Sequence, residues 1–144
     1  MNCLRGFKTD ADMRIDHIGI AVRDLEAAIA TYEALLQTTC YKRETVESEK
    51  VETAFFRTGE SKVELLGATT TDSVIATYLE KRGPGLHHIA FEVADVNAEL
   101  ERLSALGFTP LTMAPKRGAD NKLIAFLHPK SAEGVLVELC QSLV

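Results

Sequence analysis

The chain has 144 residues, 46% hydrophobic and 26% charged, with a net charge of −5. That length holds one domain with a real core, and nothing in the composition suggests disorder. The acidic balance argues against nucleic-acid binding, which calls for a basic face, so any anionic ligand must be met by a local cluster of cations.

The first twelve residues contain Arg5 and Lys8 but also Asp10 and Asp12, with no apolar stretch, so a secretory leader is not expected. Met13 stands two residues before the first expected strand, which makes 1–12 an N-terminal extension and 13–144 a single domain. No apolar run approaches the length of a membrane span. Cys3, Cys40 and Cys140 are odd in number and lack Cys-x-x-Cys spacing. Neither a disulfide framework nor a thiolate metal site is indicated, and a cytoplasmic location is expected.

Residues 15–22, Ile-Asp-His-Ile-Gly-Ile-Ala-Val, alternate as a strand. Ile18, Ile20 and Val22 share one face, and His17, Gly19 and Ala21 share the other. Asp24 is a good N-cap for a helix whose apolar positions Leu25, Ala28, Ile29, Tyr32, Leu35 and Leu36 recur at helical spacing and can cover the Ile18 face. Strands are expected near 38–44 and at 51–57 and 62–66, the last two joined by a turn at Thr58-Gly59-Glu60 with Val63 and Leu65 inward and Glu64 on the opposite face. Asp72 or Ser73 caps a short helix that Gly83-Pro84-Gly85 ends.

The order then repeats. Residues 85–93, Gly-Leu-His-His-Ile-Ala-Phe-Glu-Val, align with the first strand at an offset of 71, pairing His88 with His17 and His87 with Asp16. His88 falls on the face of Ala90, the counterpart of the His17 face, so His88 and not His87 is expected in the site. Asp95 caps a second helix with Val96, Leu100, Leu103 and Leu106, followed by strands near 109–113, 122–127 and 135–140, with a loop at 115–121 and a turn at His128-Pro129-Lys130-Ser131. Beyond that turn the offset grows to 74, and Glu138 falls on Glu64.

Each half thus supplies one histidine near its start and one glutamate on its last strand, all on the face that the helices do not cover. A carboxylate between aliphatic neighbours is costly to desolvate unless it is paired, protonated or bound to a cation. Imidazole and carboxylate donors without thiolate suit a divalent ion such as Zn, Co, Ni, Mn or Fe, with places left for water or substrate oxygens. His17, Glu64, His88 and Glu138 are therefore the expected metal ligands. Lys116, Arg117, Lys122 and Lys130 stand in or beside the loops of the second half, where they could meet phosphate groups. His128, in the turn beside Pro129, is expected at the surface or against a ligand.

On these residues the chain resembles the vicinal oxygen chelate superfamily, whose α+β fold has two tandem βαβββ modules, here about 14–67 and 86–141, forming a cupped mixed sheet around a metal. Within it the chain is similar to the methylmalonyl-CoA epimerases. The likeness runs from Arg14 to Gln141 and is most specific in Lys62-Val63-Glu64-Leu65-Leu66, Gly85-Leu86-His87-His88-Ile89-Ala90 and the His128-Pro129-Lys130-Ser131 turn leading to Glu138. It implies His17, Glu64, His88 and Glu138 as ligands of a divalent ion (Co, Mn, Ni or Zn), a coenzyme A thioester substrate and a homodimer. It also implies proton transfer by Glu138 and by a second glutamate that local alignment places at Glu52, through an enediolate.

Two other activities use related sites. A glyoxalase I has a similar two-His, two-Glu centre but takes a glutathione hemithioacetal, and a metal-free binding protein uses the same cup without chemistry. A ring-cleaving dioxygenase would use two histidines and one carboxylate, which leaves Glu64 superfluous.

Overall fold

The computed structural model describes residues 13–112 and 114–143, so the expected extension at 1–12 lies outside the described residues. By packing, the chain divides into two compact units: His17–His88 with Gly118–Asp120, and 13–16 with 89–117 and 121–143. The order of elements runs twice along the chain, in two modules whose bounds differ from those of the units at 14–16 and 85–88.

In the first, β1 (Arg14–Ala21) leads through α1 (Leu25–Leu36) to β2 (Lys42–Val46), β3 (Val51–Thr58) and β4 (Ser61–Ala68), followed by α2 (Val74–Arg82). The strands lie in the order β2-β3-β4-β1, antiparallel except for the parallel β4–β1 pair, which begins at His17. In the second, β5 (Gly85–Glu92) leads through α3 (Val96–Ala105) to β6 (Lys116–Arg117), β7 (Lys122–Leu127) and β8 (Val137–Ser142). Their order is β5-β8-β7-β6, with β5 and β8 parallel. The fold is α+β, two βαβββ modules with mixed sheets. The helices start where the sequence puts their caps: Asp24 accepts from the Ala27 N–H, Ser73 from Ala76 and Asp95 from Ala98.

Strand alternation divides each module into two faces. Val22, Ala54, Phe56 and Leu65 pack with Leu25, Ala28, Ile29 and Tyr32 of α1. Val93, Ala125, Leu127 and Leu139 pack with Val96, Leu100 and Leu103 of α3. Each fully buried Phe or Leu there contributes about 1.5–3 kcal/mol, so these clusters fix which strand face is left for the histidines. That opposite face is not bare along its whole length. Ala21 and Leu66 pack under Ile75 and Leu79, so α2 covers its far end, which sequence reasoning had left open.

Three strands differ from expectation. β2 begins at Lys42 and not near 38 because Gln37 turns left-handed at the end of α1 and the Glu33 carboxylate accepts from the Cys40 N–H, keeping 38–41 out of the ladder. Around 109–113 there is only an isolated bridge, Pro110 with Leu127. Proline has no N–H to extend a ladder, and the two-residue β6 forms instead inside the expected loop. β8 starts two residues later than expected, after a 3₁₀ turn at Pro129–Ala132.

Candidate active site

His17 on β1 and Glu64 on β4 belong to neighbouring parallel strands in which Gly19 stands opposite Glu64. Since alternate residues share a face, His17 and Glu64 leave on the same side. The Glu64 Oε2 lies 3.2 Å from His17 Nδ1, and the other ring nitrogen, Nε2, lies 3.1 Å from His88 Nε2 on β5. The two rings meet edge to face at 87°. All three residues are buried, with 4%, 4% and 7% of their surfaces exposed for His17, Glu64 and His88.

Gly19 makes this approach possible. A Cβ at position 19 would overlap His88 Cε1 and lie 2.6 and 2.7 Å from its two nitrogens. The strand glycine thus serves as a slot for the imidazole. On its far side, His88 Nδ1 lies 2.9 Å from His87 Nδ1, and the His87 ring stands edge-on to Tyr78 at 4.8 Å.

The donor set suits a divalent cation. Two imidazole nitrogens each about 2.1 Å from one ion and at right angles would be about 3.0 Å apart, close to the separation found. A carboxylate at His17 Nδ1 favours the tautomer with the proton on Nδ1, leaving the Nε2 lone pair for a metal, as an orienting carboxylate does for a metal-bound histidine. Glu64 therefore has two roles open to it, ligand and orienting group.

Glu138 belongs to the second unit. On β8 it stands opposite Ala90 of β5 and Phe126 of β7, and it is 5% exposed. The relation repeats that of Glu64, which stands opposite Gly19 and Phe55. In each module the glutamate faces the position two beyond the histidine on one side and a phenylalanine on the other. On the same face as Glu138 lies an apolar cluster of Ala90, Ile124 and Cys140, with Phe126 packed against it. Burial, reinforced by the Asp16 and Glu138 charges, pushes the Cys140 thiol far above its usual range.

Of the expected site residues, His17, Glu64 and His88 are brought together, and Glu138 occupies the equivalent register position in its own module. Glu52 is not where the proposed acid–base role needs it. It stands opposite Gly67, on the face of Ala54 and Phe56 that packs on α1. There it pairs with Arg43 at 2.8 Å, and Arg43 in turn pairs with Glu26 in the first turn of α1 at 2.6 Å. A single step in strand parity separates it from the face of Glu64. Local similarity points to Glu52, whereas the strand alternation that locates Glu64 puts Glu52 on the opposite face.

The cations also sort differently from expectation. Lys122 is buried, its ammonium 3.0 Å from Ser142 Oγ and 3.3 and 3.5 Å from Asp16 and Glu92, so it serves the interior of its unit and is corrected as a phosphate contact. Arg117 is exposed and donates to Asn121, Lys116 is half-buried, and Lys130 is exposed in the 3₁₀ turn. His128 caps that turn, its Nδ1 accepting from the Lys130 N–H.

Two features escaped sequence reasoning. One is the contact of His87 with His88, whose only signal was the His-His dipeptide. The other is Asp120, which receives Lys42 at 2.6 Å and Lys62 at 2.8 Å, while its N–H donates to Glu44. Lys62 is two residues from Glu64 on the same face. Nothing local marks Asp120 as its partner, since 58 positions separate them.

Residues 16–126 match the sequence profile of the Glyoxalase/Bleomycin resistance protein/Dioxygenase superfamily. The chain is 39% identical over 130 residues to the mitochondrial methylmalonyl-CoA epimerase of Homo sapiens, covering 90% of this chain and 74% of that one. It is 41% identical over 130 residues to the ethylmalonyl-CoA/methylmalonyl-CoA epimerase of Cereibacter sphaeroides, covering 89% and 97%. Its fold superposes on a substituted methylmalonyl-CoA epimerase of Streptomyces coelicolor in complex with 2-nitronate-propionyl-CoA with a TM-score of 0.84 at 39% identity, over 91% of this chain and 98% of that one.

Proposed function

Because the chain belongs to the glyoxalase/bleomycin resistance protein/dioxygenase superfamily and is an isomerase of the racemase/epimerase type within it, we propose that it interconverts the (R) and (S) forms of methylmalonyl-CoA. In this reading a divalent ion is held by His17, Glu64, His88 and Glu138. The observation that carries it is the buried His17–His88 pair, 3.1 Å apart with Glu64 against it, in a chain about two-fifths identical to named epimerases.

Bound there, a divalent ion would supply positive charge to offset the negative charge that builds on the substrate's oxygens when the proton leaves. The remaining work belongs to the side chains. Glu138 takes the proton from the carbon between thioester and carboxylate, leaving the electron pair delocalised as an enediolate; delivery of a solvent-derived proton to the opposite face inverts the centre, and Glu138 releases to solvent the proton it took. Ala90, Ile124, Phe126 and Cys140 form an apolar cluster on the same face as Glu138. Glu64 keeps the His17 ring oriented. Glu52, tied to Arg43 on the α1 side, has no part in this chemistry.

Lys116, Arg117 and Lys130 are the proposed contacts for the coenzyme A phosphates, and Lys122 is left out because its ammonium is held by Asp16, Glu92 and Ser142. A homodimer and a cytoplasmic location complete the reading. Cys40 and Cys140 are free thiols, as a reducing compartment keeps them.

The test is solvent deuterium incorporation into methylmalonyl-CoA, with and without chelator, by wild type and Glu138→Ala. Exchange should depend on both the ion and Glu138. Exchange that survives both treatments would refute the mechanism, and turnover of methylglyoxal with glutathione in place of methylmalonyl-CoA would reassign the substrate.

A further inference from the structure

The two histidines of the site are oriented by different chemistry. His17 has the Glu64 carboxylate at its Nδ1, 3.2 Å away. His88 has a second imidazole there, with His87 Nδ1 at 2.9 Å. By strand alternation neighbouring residues should point to opposite faces, yet these two adjacent rings meet edge to face, 5.2 Å apart at 87°. His87 is held from behind by Tyr78 on α2, whose ring lies 4.8 Å away at 80° and whose hydroxyl donates to the Leu86 carbonyl at 2.5 Å.

Unless a cation lies between them, one of two facing ring nitrogens must donate and the other accept. If His88 Nε2 is to offer its lone pair toward the space it shares with His17, the neutral ring must carry its proton on Nδ1. That proton then points at His87 Nδ1, which accepts, and His87 carries its own proton on Nε2. A metal-bound histidine ordinarily gives its second N–H to a carboxylate, a carbonyl or water; here the acceptor is an imidazole. The duplication supports a purpose for this arrangement, because the residue aligned with His87 is Asp16, which is engaged instead by Lys122.

We propose that His87 is a positioning residue for His88: it accepts the His88 Nδ1–H, braced by Tyr78, and so fixes the tautomer and ring angle in which His88 Nε2 can ligate a divalent ion. The inference rests on the metal reading given above, and its test does not depend on the substrate. Dissociation constants for Co(II) and Mn(II) are measured on wild type, His87→Phe and His87→Asn, with the thermal unfolding of each metal-free protein alongside. His87→Phe keeps a ring against Tyr78 and removes the acceptor; His87→Asn restores an acceptor oxygen near the Nδ1 position.

The expected result is about 10- to 100-fold weaker metal binding by His87→Phe, substantial recovery in His87→Asn, and metal-free melting temperatures close to wild type for both. Wild-type affinity in His87→Phe, or equal weakening in both variants, overturns the positioning role while leaving the metal site in place. Wild-type protein that takes up no ion overturns the metal reading and this inference together.

Discussion

The ring of His88 occupies the space that a side chain at position 19 would need. The closest ring atoms are on His88 itself and not on a pliable neighbour, and His88 is wedged between His17 and His87. Gly19→Ala must therefore push the imidazole away from His17 while leaving the α1-facing core untouched. The expected outcome is at least a tenfold loss of divalent-ion affinity and a larger loss of epimerase turnover, with a stability cost of about 1–3 kcal/mol from overpacking. Metal titration and denaturant unfolding on the same preparation check it. An alanine variant that binds the ion normally would show that the slot at Gly19 is not required.

The two glutamates once paired as acid and base should now behave very differently. Glu138→Gln keeps the shape of the side chain and removes the proton acceptor, and turnover should fall by about 10²–10⁴-fold. Glu52→Gln changes a group bound to Arg43 on the face of α1, and turnover should stay within about twofold of wild type, since exposed ion pairs of this kind contribute little. Steady-state kinetics on both variants decides the matter. A collapse of activity in Glu52→Gln would mean that the carboxylate reaches the site by a rearrangement absent from the structure.

Cys140 is fully buried on the same face as Glu138, and burial together with the Asp16 and Glu138 charges pushes its thiol far up. Thiolate is the reactive form, so Cys140 should resist iodoacetamide at pH 8 in the folded protein and react at the rate of a free thiol once unfolded. Peptide mapping after timed labelling reads this directly. Rapid modification of Cys140 in the native state would contradict both its burial and the direction of its shift.

The candidate site can be assembled from sequence because it depends on two regularities that need no coordinates: a duplicated sequence and the period of two along a strand. The proposed ligands His17, Glu64, His88 and Glu138 all follow from them, as does the preference for His88 over His87, and the caps at Asp24 and Asp95 are made as their positions imply. What escaped was set by contacts between residues far apart in sequence. Asp120 reaches Lys42 and Lys62 from a loop 78 and 58 positions away, and Lys122 turns inward because Asp16, 106 positions earlier, is buried beside it. Glu52 is a different kind of failure. The alternation that locates Glu64 applies equally to β3 and puts Glu52 on the α1 face, whereas likeness in local sequence carries no information about which face a residue takes.

The Asp120 clamp predicts a pH dependence that separates its charge from its backbone role. Burial alone would push the Asp120 carboxyl up, but the hydrogen bonds from Lys42 and Lys62 outweigh it and hold the group below its ordinary value. A carboxylate depressed by folding contributes stability that is present above its unfolded value, about 3.9, and is lost as the pH falls through the folded one. Lys42 moves the other way. Burial would lower it, but the hydrogen bond and charge of Asp120 raise it, so its share is present below about 10.4 and is lost as the pH rises through the folded value. Asp120 has a positive φ of 61°, which asparagine tolerates well, so Asp120→Asn removes the charge with little backbone strain. At pH 7 the variant should be less stable by about 1–3 kcal/mol, because the buried Lys62 ammonium loses a charged partner. The gap between variant and wild type should begin to narrow as the pH falls below about 3.9 and close once it has passed through the lowered folded value, where both carry a neutral group at this position. Urea unfolding at pH 7 and pH 3 measures the two gaps, and a gap of the same size at both would assign the contribution of Asp120 to its backbone and not to the clamp.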